Sequence, residues 1–397
     1  MVAGIRAWVC FVTALFSLLW GGVVCPPALP RRNLAPPEAE ALAFPLDGYQ
    51  QAAFLHPVWE GSIAYQESVI PLESRDGGMP DIPLLYDADE ILSVRSNDLQ
   101  TEYVQGVDYA LADGKLRILD GAIPRVPHMK LYPLAEIEVQ PGALLFPGGG
   151  ESPYIYCQGG MEIPQMQLSV TYRHSDAYRG QIPLRQGSRL PKTLAKLEAG
   201  EPLRILFYGD SITVGAQSSG WCGEAPFVPA YYDLVAAGLQ AQYQSAVAVI
   251  NPAVSGTASA WGAENAQELA ADQHPDLAVI AFGMNDGSIR IPPAVYFWNT
   301  LRILSRIRAA NPDCEFVLVA TTVPNPAAPG FCGTQDAFRP WLWRLAQRGT
   351  AVADMTQTHR NLLERKRFED MTSNNVNHPN DYLARIQAQV ILETLLP

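Results

Sequence analysis

The stretch LRILFYGDSIT, Leu203 to Thr213, joins an apolar run to a polar turn. Its first seven residues, 203–209, have the short apolar pattern of a strand that is buried on both faces. Gly209 permits a tight turn, and Ser211 follows at the predicted start of a helix. Backbone N–H groups at a helix start have no partner within the helix and can receive a negative charge. The stretch therefore predicts a strand, a turn and a presented serine, although a helix cap by Asp210 or Ser211 explains the same letters.

Four more apolar runs follow and alternate with helical patterns. The runs are VAVIN (247–251), LAVIAFG (277–283), EFVLVATT (315–322) and TAVADM (350–355). The helical candidates between them are 229–243, 294–310 and 336–348. Apolar strands that alternate with helices predict an α/β domain, a parallel sheet with helices on both faces. Functional residues gather at the carboxyl ends of the strands in such sheets.

The preceding part of the chain, residues 45–185, has a different pattern. Short runs there alternate apolar and polar residues and are separated by Gly, Pro, Asn and Asp, which is typical of half-buried strands. These runs are SVIPLES (68–74), EILSVRS (90–96), YALADGKLRIL (109–119), KLYPLAEIEVQ (130–140) and QMQLSVTYRH (165–174). We therefore predict an all-β sandwich or jelly-roll domain over 45–185, with 186–202 as the connector to the α/β domain.

The N-terminus has the pattern of an export signal. Arg6 precedes an uncharged apolar run at 7–24, and a Pro- and Ala-rich stretch follows it. This order predicts a secretory signal peptide or an uncleaved membrane anchor over 1–25 and a linker over 26–44. The expected location is secreted or periplasmic, with membrane contact only through that segment.

Composition narrows the function classes. Of the 397 residues 48% are hydrophobic and 17% charged, a globular balance, and the net charge of −12 argues against nucleic acid as a partner. The six cysteines include no CxxC pair, so we expect no metal site, and no motif calls for an organic cofactor. Cys222 and Cys332 lie in loop-like sequence and are the favoured disulfide pair in an exported chain.

Three further polar signals occur at predicted loops. Gly256 lies in NPAVSGTAS after the second strand, and Asn285 lies in FGMND after the third. Gly256 lets backbone N–H approach a ligand closely, and the Asn285 amide is a donor, although a turn glycine and a helix cap are simpler explanations. His378 lies in NVNHPND, where the following proline disfavours helix, and Asp381 is the predicted cap of the last helix.

The four signals GDSIT, AVSG, GMND and HPND occur in this order, each at a loop. Together they resemble the SGNH hydrolase family, also called GDSL esterases and lipases, over roughly residues 200–397. The resemblance implies a flavodoxin-like three-layer α/β/α fold with a five-stranded parallel sheet over 203–397. It also implies a serine esterase that needs no metal or organic cofactor.

The resemblance implies roles for four residues. Ser211 matches the nucleophile, and its backbone N–H is one donor of the oxyanion hole. Gly256 matches the second donor through its backbone, and Asn285 matches the third through its side chain. His378 matches the general base that takes the proton of Ser211 and returns it to the leaving alcohol.

The chain departs from the family pattern at one position. The family usually has Asp three residues before the histidine, and Asn375 occupies that place here. An asparagine oxygen can accept from the imidazole Nδ1–H but carries no charge. We therefore expect a Ser–His dyad or a histidine held by Asn375, with Asp370 as the alternative orienting residue and Asp354 as a further candidate.

The substrate is indicated less directly. Trp221, Trp261, Tyr296 and Trp298 lie near the predicted loops and are candidates to line a cleft, although core packing explains each of them as well. A β-sandwich before an SGNH domain resembles the arrangement of some secreted carbohydrate acetyl esterases, which implies an O-acylated glycan or a small ester as substrate.

Two alternatives stay open from the sequence. One is a lysophospholipase or thioesterase. The other is a glycan-binding protein with a decayed catalytic domain, for which Asn375 is the main support.

Overall fold

The computed structural model describes residues 51–150 and 152–397. The predicted signal or anchor at 1–25 and the linker at 26–44 lie outside the described residues, so they stay predictions. Within the described ranges, no helix is both long and apolar enough to cross a membrane.

The N-terminal part is built from antiparallel strands. It contains β1 (Ile63–Val69), β2 (Glu90–Ser96), β3 (Tyr109–Ala112), β4 (Lys115–Ile118), β5 (Ala143–Pro147), β6 (Tyr154–Gln158) and β7 (Leu168–Arg173). These strands form a three-stranded sheet, β1-β7-β2, and two hairpins, β3–β4 and β5–β6. Three short helices accompany them: α1 (Gln51–Leu55), α2 (His128–Leu131) and α3 (Glu162–Gln165). The predicted β domain is confirmed, as this sheet and these hairpins.

One predicted strand is absent from this part. The run at 130–140 begins in α2 and continues as irregular chain. Leu134 and Ile137 in it are exposed, at 39% and 43%. Alternation therefore misled the prediction here, because no neighbouring strand pairs with this run to bury its apolar face.

The C-terminal part has the predicted parallel sheet. Its strands are β8 (Leu203–Gly209), β9 (Val247–Ile250), β10 (Leu277–Ala281), β11 (Glu315–Ala320) and β12 (Thr350–Asp354). Their order across the sheet is β12-β11-β10-β8-β9, and all four pairings are parallel. The chain order therefore reverses at β8, with β9 on one side of it and β10 on the other. The predicted flavodoxin-like fold is confirmed.

Helices cover both faces of this sheet. They are α4 (Pro191–Glu198), α5 (Ser211–Val214), α6 (Ser219–Cys222), α7 (Tyr231–Tyr243), α8 (Ser259–Leu269), α9 (Met284–Ser288), α10 (Pro293–Ala310), α11 (Gln335–Trp343), α12 (Met355–Leu363) and α13 (Asp381–Leu395). Phe207 and Val279 pack in a core with α7 and α13, whereas Leu206 and Tyr208 pack in a second core with α8, α10 and α11. Successive side chains of a strand point to opposite faces, which produces the three layers.

The first of these cores extends into the N-terminal part. Val94 of β2 and Val170 of β7 are fully buried in the same cluster as Phe207. The β strands and the α/β sheet therefore share apolar packing. The favoured disulfide is wrong, because none of the four cysteines in the described ranges, Cys157, Cys222, Cys314 and Cys332, takes part in a disulfide.

Candidate active site

Ser211 lies at the carboxyl end of β8 and begins a helix, as the sequence predicts. A Cβ added at Gly209 would lie 2.3 Å from the carbonyl oxygen of Ala281, so only glycine allows this close approach. Asp210 caps α5, because its Oδ1 accepts from the N–H of Ile212 at 3.0 Å. Ser211 is the first residue of α5 and is 8% exposed.

His378 lies on a loop whose shape is fixed by Asn374. The Asn374 Oδ1 accepts from the backbone N–H groups of Val376, Asn377 and His378 at 2.9 to 3.0 Å. The hydroxyl of Thr372 donates to the His378 carbonyl at 3.0 Å. These local bonds hold the imidazole at a defined place before α13, where it is 4% exposed.

The structure brings the serine and the histidine together. The His378 Nε2 lies 2.9 Å from the Ser211 Oγ. On the other side of the ring, Nδ1 lies 2.5 Å from the Oε1 of Gln217. Burial lowers the pKa of His378 to about 4, so the ring is neutral near pH 7 and can accept a proton.

Asn375 does not orient His378, which corrects the first expectation from the sequence. Its backbone has φ of 62° and its side chain is fully buried elsewhere. The Oδ1 accepts from the Asn325 amide at 3.1 Å, and Nδ2 donates to the carbonyls of Leu131 and Tyr156 at 3.3 Å. The left-handed turn at Asn375 directs the amide towards α2 and β6, away from the imidazole.

Asp370 and Asp354 do not orient His378 either. Asp370 is buried, and its two oxygens accept from the N–H groups of Ile70 and Arg367 at 2.8 and 3.0 Å. Asp354 accepts from Arg339 Nε at 2.6 Å and caps α12. Both carboxylates are therefore committed to structural bonds.

The cap predicted for the last helix is also wrong by one residue. Asn380 caps α13 by accepting from the N–H of Leu383 at 3.1 Å. Asp381 is the first helical residue, and its Oδ1 accepts from the N–H of Ser219 at 3.0 Å. It therefore ties α13 to α6, close to the turn that carries Gln217.

The loops after β9 and β10 converge on the end of β8. Val254 donates to the carbonyl of Gly209 at 3.2 Å, which holds the β9 loop against the serine turn. Gly256 has φ of 77° and open space where a Cβ would stand. The Asn285 Nδ2 donates to the Thr257 carbonyl at 2.8 Å, so this amide is held beside the Gly256 turn.

Two buried acids support these loops. Asp286 accepts from the backbone N–H and the hydroxyl of Ser259, which fixes the start of α8. Burial raises the pKa of Asp286 to about 6 and, together with the nearby Asp286 charge, raises that of Asp210 to about 7. Both groups lie directly beside a candidate catalytic residue in sequence and anchor its loop.

The four aromatic candidates differ in exposure. Tyr296 is 3% exposed, and its hydroxyl donates to the Phe282 carbonyl at 3.0 Å, so it is a core residue and cannot line a cleft. Trp261 is partly buried against the Tyr208 ring. Trp298 is 59% exposed. Trp221 is partly exposed in α6, four residues after Gln217.

Gln217 is the site residue that the sequence did not indicate. It follows α5 in AQSSG and carries no motif. Its contact with His378 joins residues 161 positions apart, which no local pattern reports. Within the described ranges, no group of three or more His, Cys, Asp or Glu side chains is placed to hold a metal ion.

Part of the chain is similar to a known family. Residues 207–386 match the GDSL-like Lipase/Acylhydrolase family. No curated protein matches the chain.

The solved structures that are similar to this chain include the following three. A two-domain esterase active on acetylated mannans, co-crystallised with mannopentaose, is 22% identical with a TM-score of 0.43, and the match covers 53% of this chain and 53% of that one. The chain thus spans about half the length of that relative. A catalytic mutant of an acetylxylan esterase from Geobacillus stearothermophilus is 20% identical with a TM-score of 0.40, covering 49% of this chain and 94% of its own. TesA is 26% identical with a TM-score of 0.30, covering 38% and 77%.

The family match spans the segment that carries Ser211, Gly256, Asn285 and His378. Residues 207–386 are therefore similar to the GDSL-like lipase/acylhydrolase family.

Proposed function

We propose that the chain is an exported serine esterase that removes short acyl groups, principally acetyl, from a carbohydrate. The observation that carries the proposal is the hydrogen bond of 2.9 Å between Ser211 Oγ and His378 Nε2 at the carboxyl edge of the sheet. A serine within hydrogen-bond reach of a neutral imidazole, which is itself held on its far side, is the arrangement needed for nucleophilic catalysis.

The proposed reaction has two halves. The Ser211 Oγ attacks the ester carbonyl while His378 Nε2 takes the hydroxyl proton, and the negative charge develops on the former carbonyl oxygen. The backbone N–H groups of Ser211 and Gly256 and the Nδ2 of Asn285 donate to that oxygen. His378 then gives its proton to the leaving alcohol, which departs from the acyl-enzyme. A water molecule, deprotonated by His378, cleaves the acyl-enzyme and restores the serine.

A small acyl group fits the burial of the nucleophile. Ser211 is 8% exposed and His378 is 4% exposed, although neither lies in the hydrophobic core. A long acyl chain needs a contiguous apolar surface beside the serine. Large exposed apolar side chains of the C-terminal part lie in separate segments, at Phe227, at Val254 and in the 289–298 stretch that holds Ile289, Val295 and Trp298. This pattern favours acetyl over a fatty acyl chain.

A carbohydrate is the proposed alcohol for a different reason. Trp221 is partly exposed on α6, next to the turn that contacts His378. An aromatic ring offers an apolar face to the C–H groups of a sugar, while its edge stays compatible with water. The net charge of −12 favours a neutral glycan over a polyanionic one.

Export is proposed from residues 1–25 alone, whose apolar run after Arg6 has the form of a signal peptide or anchor. A polysaccharide substrate outside the cell is compatible with that location. Expression of the full chain, followed by N-terminal sequencing of secreted and membrane fractions, tests this part. Protein retained in the cell with an intact N-terminus and no membrane association would contradict export.

The activity is tested with a series of p-nitrophenyl esters and with acetylated neutral polysaccharides. We expect acetate to be hydrolysed faster than octanoate, acetate to be released from the polymer, and Ser211→Ala to abolish both reactions. Faster hydrolysis of octanoate would favour the lysophospholipase or thioesterase alternative. A folded protein that neither hydrolyses activated esters nor reacts with a fluorophosphonate probe would contradict the enzyme and favour a glycan-binding role.

A further inference from the structure

The side chain of Gln217 connects the candidate catalytic histidine to the N-terminal part of the chain. Its Oε1 lies 2.5 Å from His378 Nδ1, and the residue is 1% exposed. Its Nε2 donates to the carbonyl of Gln158 at 2.7 Å and to that of Gly160 at 3.2 Å. Both carbonyls belong to the end of β6 and the turn after it. One amide therefore spans the two parts of the molecule.

The two carbonyls decide which way the amide faces. A glutamine amide has two N–H donors on one side and an acceptor oxygen on the other. If the amide were reversed, its oxygen would face two carbonyl oxygens, and no donor would meet it there. The observed orientation instead gives both carbonyls a donor and turns Oε1 towards His378. The N-terminal part thus determines that the imidazole faces the acceptor oxygen of the amide and not its N–H donors.

The orientation of the Gln217 amide selects one tautomer of the neutral histidine. Because Oε1 can only accept, the proton of the neutral ring must lie on Nδ1. The lone pair is then on Nε2, which faces the Ser211 hydroxyl at 2.9 Å. The opposite form would place a hydrogen between Nε2 and the serine and could not take up its proton. The orientation of the Gln217 amide therefore determines whether His378 is ready to act as a base.

The backbone at Gln217 is held in an uncommon conformation. Its φ is 69°, in the left-handed region, which costs a residue with a side chain about 1 kcal/mol or more. It follows the C-cap of α5, Gly215, and precedes Ser218, the N-cap of α6. A short turn between two caps therefore aims this side chain between β6 and the imidazole.

We propose that Gln217 is the positioning residue of His378, in the place that an acid has in related sites. We further propose that the N-terminal β domain completes the active site, by holding the Gln217 amide through the carbonyls of Gln158 and Gly160. The inference rests on the proposed function of Ser211 and His378 and adds a role for the N-terminal domain in positioning the catalytic histidine.

A neutral positioning residue leaves a signature that an acid would not. An adjacent carboxylate favours the imidazolium and raises the pKa of a histidine, whereas an amide oxygen has no charge. Burial lowers the pKa of His378 to about 4. The titratable groups on the two elements that carry the pair are Asp210, before α5, and Asp381, at the start of α13.

The test uses the full chain and compares wild type with Gln217→Leu, Gln217→Glu and Gln158→Ala. Gln217→Leu should lower kcat for p-nitrophenyl acetate by about a hundredfold with KM within about threefold, because the ring loses its fixed tautomer. Gln217→Glu should move the acidic limb of the kcat/KM profile upward by about one pH unit or more. Gln158→Ala removes the side-chain oxygen that accepts from the Gly160 N–H at 2.6 Å, and should lower kcat less, by about three- to tenfold.

Histidine NMR of 15N-labelled wild type provides a test that needs no variant at Gln217. We expect a proton on Nδ1 and none on Nε2 of His378 at pH 7, with the signals assigned by comparison with His378→Gln. A wild-type ring protonated on Nε2 would overturn the proposal even if the Gln217 variants failed to fold. An unchanged kcat in folded Gln217→Leu would also overturn it, and an unchanged kcat in Gln158→Ala would overturn the role of the N-terminal domain.

Gln186→Leu is the matched control. Gln186 is a buried glutamine that bonds both the carbonyl and the N–H of Val352, at 2.8 and 3.2 Å, without touching the serine or the histidine. It should lower stability and leave the pH profile and the tautomer unchanged. Ser211→Ala separates the two hypotheses, because activity that survives in this variant contradicts the proposed function itself and not the role of Gln217.

Discussion

At the scale of single residues, the candidate site combines motif residues with one residue outside any motif. Ser211, Gly256, Asn285 and His378 could be picked out because each lies in a short pattern at a strand end. Gln217 could not be found this way, since its proposed role depends on two carbonyls and an imidazole that are distant in sequence. Asn375 was misjudged because spacing along the chain does not report the left-handed turn that directs its side chain elsewhere.

The proposed oxyanion donor Asn285 leads to a direct prediction. Asn285→Ala removes the side-chain N–H while the Gly256 turn keeps its other support, the bond from Val254 to Gly209. Because the interaction strengthens as charge develops, kcat should fall by about a hundredfold to a thousandfold with little change in KM. Steady-state kinetics on p-nitrophenyl acetate measure this.

Asn265→Ala provides the control for that variant. Asn265 bonds the Trp261 carbonyl at 2.9 Å within α8 and has no proposed role in the reaction. Its kcat should equal that of wild type. If Asn285→Ala raises KM and leaves kcat unchanged, Asn285 contributes to substrate binding and not to stabilisation of the transition state.

The lowered pKa of His378 predicts the acidic limit of activity. The neutral ring is the proposed base, so activity should be present above its pKa of about 4 and lost as the pH falls through that value. We expect kcat/KM to stay level from neutral pH down to about pH 5 and to fall below it. Circular dichroism at each pH separates this loss of activity from unfolding. The control is needed because His378 is buried in its neutral form, so the free energy of unfolding also falls once the pH drops below the unfolded pKa of about 6.5. A limb centred near pH 6.5 would contradict the effect of burial.

At the scale of elements, apolar content was a better guide than alternation. All five parallel strands were predicted within two residues, because both faces of such strands are buried and the signal is a simple apolar run. In the N-terminal part the β3–β4 hairpin was found, whereas β5 and β6 were missed and β1 (Ile63–Val69) was placed five residues too late, at 68–74. The sequences of β5 and β6, ALLFP and YIYCQ, do not alternate clearly between apolar and polar residues. These strands are stabilised by tertiary packing against Ala328 and Val376, which a local sequence pattern does not report.

Helix α13 depends on Asn380 for more than its cap. Oδ1 caps the helix, and Nδ2 donates to Ser68 Oγ, Gln167 Oε1 and the Asp370 carbonyl at 2.8 to 3.0 Å. Asn380→Ala should therefore lower the free energy of unfolding by about 2–4 kcal/mol, from the cap and from buried acceptors left without a donor. Urea denaturation measures the loss.

Asn380→Asp separates the two contributions. It keeps an oxygen for the Leu383 N–H but places a second oxygen against Gln167 Oε1 and the Asp370 carbonyl, which can only accept. If the acceptors matter, this variant should be at least as unstable as Asn380→Ala. A stability close to wild type would show that the cap alone accounts for the effect.

At the scale of the whole molecule, the β and α/β parts are joined by buried polar bonds as well as by a shared core. Lys366, between α12 and the histidine loop, lies 2.5 Å from Glu67 of β1, and the two side chains are 0% and 1% exposed. Glu67 also accepts from the Leu85 N–H and the Tyr172 hydroxyl. Together with the Gln217 bridge, these bonds make the site dependent on both parts.

The buried pair predicts that the molecule unfolds as one cooperative unit. Lys366→Met leaves the Glu67 carboxylate buried without its cation, which should cost about 3–5 kcal/mol. Adding Glu67→Gln to this variant removes the unpaired charge and should recover part of the loss. Because the two parts share this pair and a core, tryptophan fluorescence and far-ultraviolet circular dichroism should follow a single transition in wild type and in both variants. Two separate transitions in wild type, with Lys366→Met shifting only one of them, would show that the β part is an independent domain and that its contact with the candidate active site forms only after both have folded.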